Sequence, residues 1–197
     1  YCKKNLMTDV ITAGVDEAGR GALAGPVIAA AVILDKLFPS ELLKDSKVLS
    51  EDKRINIYQL LKQSNSDIQI SIISHKIIDK INILNSTLNA MKNAILKLKE
   101  KPSIVVIDGN QTPSIQNYNC KAIIKGDQKI DCISAASIIA KVVRDKIMTR
   151  YHNYFPNYQF NINKGYGTKE HYENIFAYGK SPIHRKTFQI KKQLSLF

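Results

Sequence analysis

Two short apolar runs joined by a glycine-rich connection restrict the fold of this chain more than any other feature. VITAGVD (residues 10–16) and VIAAAVIL (residues 27–34) are long enough for strands buried on both faces, and far shorter than the roughly 20 residues of a membrane-spanning helix. They read as an early β-hairpin closed through EAGRGALAGP. A helix is expected after Ser50, whose hydroxyl can cap it while Glu51 and Asp52 occupy the first turn and Ile55, Leu60 and Leu61 face inward. IQISIIS (68–74) returns as a strand, and residues 77–99 place Ile81, Leu84, Leu88, Met91, Ile95 and Leu98 at the spacing of one long helix. SIVVID (103–108) and CKAIIKG (120–126) are further strands, and ISAASIIAKVVRDKIMTRY (133–151) is a long helix rich in small residues. Strands interleaved with helices predict an α/β fold, with the hairpin making its sheet mixed. No repeat or linker divides the chain, so it reads as one folding unit to about Tyr178 followed by a polar, basic stretch.

The composition is 44% hydrophobic, enough for a sizeable core, and Cys2, Cys120 and Cys132 form no C-x-x-C pair. Neither a disulfide framework nor a zinc site is expected, and a reducing cytoplasm fits. His75, His152, His171 and His184 lack the i, i+4 spacing of a helical metal site, so surface or packing roles are expected of them. There is no apolar block of the secretory kind, and no membrane association is expected. Lys and Arg number 29 against 17 Asp and Glu, a net charge of +12, which favours a polyanionic partner because neutralised phosphates release counterions.

The acids fall where strands end. Asp16 and Glu17 close the first strand, Asp108 closes the central one, and Asp127 follows CKAIIKG; active sites of open α/β sheets gather at those carboxyl ends. Regular pleating would send Asp16 and Glu17 to opposite faces, so if both serve one site the strand should break at Glu17. Clustered carboxylates call for hard divalent ions such as Mg²⁺ or Mn²⁺. Two such ions about 4 Å apart can activate water and stabilise a leaving oxygen in phosphodiester cleavage. The plainer alternative is that each acid is a solvated turn residue or helix cap, most natural for Asp127 taken alone. Gly19-Arg20-Gly21 is either a tight turn or a loop of bare amides and a guanidinium suited to a sugar-phosphate chain.

Taken together these blocks resemble bacterial ribonuclease HII. GVDEAGRG (14–21), LKDSKVLS (43–50), INILNSTLNAM (81–91), VIDGN (106–110), KGDQ (125–128), ISAASIIAKVVRD (133–145), KGYGT (164–168) and HRKTF (184–188) match that family's blocks in order. The resemblance implies a ribonuclease H-like mixed β-sheet flanked by helices with a helical C-terminal extension. It implies a catalytic, metal-binding quartet of Asp16, Glu17, Asp108 and Asp127 holding two Mg²⁺ or Mn²⁺ ions, with Asp145 structural. It further implies that Gly19, Arg20 and Gly21 sense the 2′-hydroxyl and its flanking phosphates, and that Tyr166 stacks on the next sugar. Lys47, Ser134 and Ser137 look like backbone-phosphate contacts, and His184 and Arg185 resemble the family's basic segment. The implied substrates are RNA/DNA hybrids and duplex DNA with embedded ribonucleotides, cut by a monomer to 3′-hydroxyl and 5′-phosphate ends.

Departures from the pattern are Ala22, Asn163 and HRKTF, none of which removes a carboxylate. The related ribonuclease HIII is disfavoured, since no added N-terminal substrate-binding domain is read. A non-catalytic nucleic-acid binder on the same fold is the rival class. QLSLF at the C-terminus resembles the peptide by which bacterial repair proteins dock on the sliding clamp, with Gln193, Leu194, Leu196 and Phe197 as its contacts; a tail folded back on the core is the alternative.

Overall fold

The computed structural model describes residues 10–43 and 49–190. Cys2, Lys47, Gln193, Leu194, Leu196 and Phe197 lie outside them. A five-stranded sheet in the order β3-β2-β1-β4-β5 is built from β1 (Thr12–Ala18), β2 (Val27–Ile33), β3 (Asp67–Ile73), β4 (Ile104–Asp108) and β5 (Cys120–Ile123). β2 runs antiparallel to both β1 and β3, whereas β1, β4 and β5 run parallel. The sheet is mixed, as the hairpin predicts.

Strand alternation divides the core. Ala13, Val15, Ala29, Ala31, Val105 and Ile107 pack against α2 (His75–Ile81) and α3 (Ile83–Ile95) on one face. Ala30, Val32 and Ala18 face α1 (Glu51–Gln63) and α4 (Asp131–Tyr154) on the other, where Val106 meets Cys132 and Ile133. The first turn of α4 lies directly on β1. A Cβ on Gly14 would stand 2.2 Å from the carbonyl carbon of Cys132, so the bare strand residue permits the approach. Two short helices, α5 (Phe160–Asn163) and α6 (Lys169–Tyr178), complete the C-terminal part.

Three sequence expectations need correction. The helix expected over residues 77–99 is two helices, broken at Asn82, which has φ +65° and whose side chain caps α3 by accepting from the Asn85 N–H at 3.0 Å. In α1, capped by Ser50 as expected, the buried residues are Ile57 and Leu61, while Leu60 is exposed. The chain beyond Tyr178 is not simply a polar stretch: Ser181, Ile183, His184 and Arg185 are buried. Among the described residues no helix is long and apolar enough to cross a membrane.

Candidate active site

The parallel β1–β4 ladder stops at Val15 opposite Ile107, although β1 continues beside β2 to Ala18. The strands therefore part at their carboxyl ends, and Asp16, Glu17 and Asp108 stand at the opening. The expected break at Glu17 does not occur, because Glu17 stays in register with Ala29. Loss of the neighbouring strand, rather than a kink, opens the space beside both acids.

The electrostatics of this opening are repulsive. Burial, the adjacent Glu17 charge and Asp108 together push the Asp16 carboxyl well above its usual range, although the Ser137 hydroxyl donates a hydrogen bond to it and the Glu17 N–H donates at 2.7 Å. Glu17 is also raised, chiefly by burial, and is partly relieved by Arg20, whose Nη1 lies 3.2 Å from Oε1. Asp108 accepts a 2.7 Å hydrogen bond from the Gly126 N–H, which ties β4 to the turn carrying Asp127. Asp127 is itself buried and lines a neighbouring cavity with Ser134 and Asp131. Among the described residues, no three His, Cys, Asp or Glu side chains form a ready-made ligand cage. Crowded all-oxygen donors nevertheless suit a hard divalent cation, whose charge would relieve the repulsion.

Beside the acids opens a cleft of about 410 Å³ lined by Glu17, the 19–21 loop, Arg54, Ser137, Lys141 and Tyr166. The two loop glycines differ. Gly19 has φ +98° and its Cβ direction is filled by Arg144 Nε at 2.1 Å, whereas nothing lies within 4 Å of a Cβ on Gly21. Arg20 is half-exposed between them. The Tyr166 ring rests on the Arg144 guanidinium, 4.9 Å from its centroid, with the Lys141 ammonium 5.6 Å away.

Several expected contacts are placed elsewhere. Ser134 is buried and donates to the Leu43 carbonyl at 2.6 Å. Arg185 is fully buried and donates to the carbonyls of Gly25, Arg20, Gly19 and Pro26. Burial and the nearby Arg144 lower its pKa to about 9, so it remains charged at neutral pH. Arg144 fastens the same loop from α4, donating to the carbonyls of Pro26, Ala24 and Lys164. His184 is buried against Tyr158, Phe160 and His171, which is one of the surface or packing roles expected of the histidines.

Arg54, Lys141 and Arg144 carry no expectation from sequence, and of His171 only a surface or packing role is expected. Arg144 alone had a legible signal, because it continues at i+4 the buried stripe of Ala136 and Ala140, and a cation on such a face must serve polar partners.

Burial, then the neighbouring His171, lowers the His184 pKa to about 4, with Lys180 and His75 adding to the shift. The unfolded chain therefore takes up this proton first, near pH 6.5, and the stabilisation present above that value is lost as pH falls toward 4. Thermal melts should show about 2 kcal/mol less stability at pH 5 than at pH 7 from this group, and a His184→Gln variant should have a flatter profile. An unchanged slope would contradict the neutral buried ring.

The geometry has relatives. The Ribonuclease HII family pattern matches residues 13–191. The chain is 57% identical over 178 residues to a protein named Ribonuclease HII from Pelagibacter ubique, covering 90% of this chain and 95% of that one. It is 49% identical over 176 residues to one from Endomicrobium trichonymphae, covering 89% and 84%. Among solved structures, the ribonuclease HII of Archaeoglobus fulgidus, determined in complex with PCNA, superposes with a TM-score of 0.78 at 25% identity, covering 93% of this chain and 97% of that chain. On this similarity in sequence and fold, the chain belongs to the ribonuclease HII family of ribonuclease H enzymes.

Proposed function

We propose that the enzyme hydrolyses the RNA strand of RNA/DNA hybrids and cuts duplex DNA at embedded ribonucleotides, by two-metal-ion catalysis, leaving 3′-hydroxyl and 5′-phosphate ends. The observation that carries this reading is the gathering of Asp16, Glu17 and Asp108 where β1 and β4 part, beside a cleft walled by the 19–21 loop and Tyr166. Asp16, Glu17, Asp108 and Asp127 would hold the Mg²⁺ or Mn²⁺ ions, which when bound supply the Lewis acidity that activates water and steadies the leaving oxygen.

The chain's own groups bind and orient the substrate. The open side of Gly21 lets a sugar edge come close to the backbone, where its amides can read a 2′-hydroxyl. Arg20 offers a forked donor to a phosphate, and Arg54 and Lys141 add positive charge along the cleft. Tyr166, backed by Arg144, presents a rigid ring for stacking on the next sugar. Ser137 orients Asp16.

The test is cleavage of a duplex bearing one ribonucleotide, beside a continuous hybrid, single-stranded RNA and an all-DNA duplex. Cutting at the ribonucleotide in Mg²⁺ or Mn²⁺, lost with a chelator and restored on adding the ion back, is expected. Equal cutting of the all-DNA duplex would refute the sugar reading, and binding without cutting in any divalent ion would favour the non-catalytic binder.

We further propose that the chain acts as one catalytic domain, a cytoplasmic monomer with a tail from residue 189. Its QLSLF end would dock on the sliding clamp. The Archaeoglobus fulgidus relative, solved with PCNA, lends support; clamp binding unaltered by removal of residues 193–197 would dismiss it.

A further inference from the structure

Two buried histidines join Tyr166 to the segment Ser181–Arg185, and their hydrogen bonds leave each ring one neutral tautomer. The Ser181 N–H donates to His184 Nδ1 at 2.9 Å, so that nitrogen accepts and the ring proton resides on Nε2. The Ser181 hydroxyl lies 2.7 Å from the same nitrogen and can donate to it as well. His184 Nε2 then donates to His171 Nε2 across 3.1 Å, which leaves the His171 proton on Nδ1, 2.8 Å from the Tyr166 carbonyl oxygen. The chain of donors runs in one direction because it begins at a backbone N–H and ends at a backbone carbonyl.

The next residue holds the opposite wall of the cleft. Arg185 donates to the Gly19 carbonyl at 2.7 Å and the Arg20 carbonyl at 2.9 Å. Its own N–H donates to Leu23, and the Gly25 N–H donates to Ile183, so residues 183–185 lie as a short antiparallel pair along the connection. The Leu23 N–H closes the ring by donating to Gly165, next to Tyr166.

We propose that Ser181–Arg185 sets the separation between the Gly19-Arg20-Gly21 loop and Tyr166, with His184 and His171 as positioning residues acting through this one-way hydrogen-bond chain. The inference rests on the reading of that cleft as the substrate site. Packing alone predicts otherwise for substitutions at His171, which stands edge-on to Phe160 with ring centroids 5.5 Å apart. Asparagine places an N–H where Nδ1 lies, and glutamine where Nε2 lies, while glutamine is closer to histidine in volume. Positioning therefore favours asparagine, and packing favours glutamine.

Two measurements decide it. With the single-ribonucleotide duplex, His171→Asn should stay within about twofold of the natural kcat/KM, and His171→Gln should fall about tenfold, with most of the loss in KM. Equal losses, or the larger loss in His171→Asn, would overturn the proposal. Long-range ¹H–¹⁵N spectra of the unaltered protein at neutral pH should show an Nδ1–H ring at His171 and an Nε2–H ring at His184; the reverse tautomer at either overturns it even if the variants fail to fold. Absence of cleavage by the natural chain would instead strike the functional reading, while the spectra would still decide whether the hydrogen-bond chain exists.

Discussion

An Asp16→Asn variant should lose hydrolysis by on the order of a thousandfold or more, yet fold at least as stably as the natural chain. The carboxylate it removes is 6% exposed and faces the Glu17 and Asp108 charges. Asparagine keeps an oxygen to accept from the Glu17 N–H and turns an amide donor toward the remaining acids, so repulsion is exchanged for hydrogen bonding. The pH dependence carries the sign. A raised folded pKa means that the native state holds a proton the unfolded chain has released, so the natural apoprotein loses stability as pH rises through the folded value of Asp16. The variant should lack that contribution to the slope. Melting curves at several pH values, with and without Mg²⁺, and single-turnover cleavage measure both halves. Retained turnover would remove Asp16 from the chemistry, and a collapsed fold would contradict the electrostatic account.

The two glycines beside Arg20 should separate folding from recognition. Gly19→Ala drives a methyl into the buried Arg144 guanidinium from a backbone at φ +98°, and a loss of about 3 kcal/mol is expected. Gly21 is outside the left-handed region and its methyl would meet open space, so Gly21→Ala should leave stability unchanged or raise it by up to about 1 kcal/mol. Its cost should appear only with substrate, as a roughly hundredfold fall in kcat/KM where the sugar can no longer reach the backbone. Chemical denaturation and cleavage kinetics on both variants make the comparison; normal cutting by Gly21→Ala would place the sugar elsewhere.

The strands were legible because each is a short apolar run bounded by turn residues, and the helix after Ser50 because its cap is local. The acids at strand ends were legible for a related reason: a charge that closes an apolar run must surface where the sheet stops. What sequence spacing misplaced depends on partners distant in the chain. Glu17 borders the opening because the ladder between β1 and β4 stops at Val15, not because β1 bends. Ser134 and Arg185 are covered by Leu43 and the 19–26 connection, both remote from them in sequence. The split at Asn82 left no trace in the hydrophobic spacing, because α2 and α3 both face the same side of the sheet.

The Arg185 bonds also bear on synthesis at the ribosome. The loop that would read the sugar is held by a residue 166 positions downstream, so its acceptors are left to water until that residue has been made. A nascent polypeptide could display every acid and still lack a shaped cleft until this last anchor leaves the exit tunnel. Such late completion would keep unfinished copies harmless to the cell's nucleic acids.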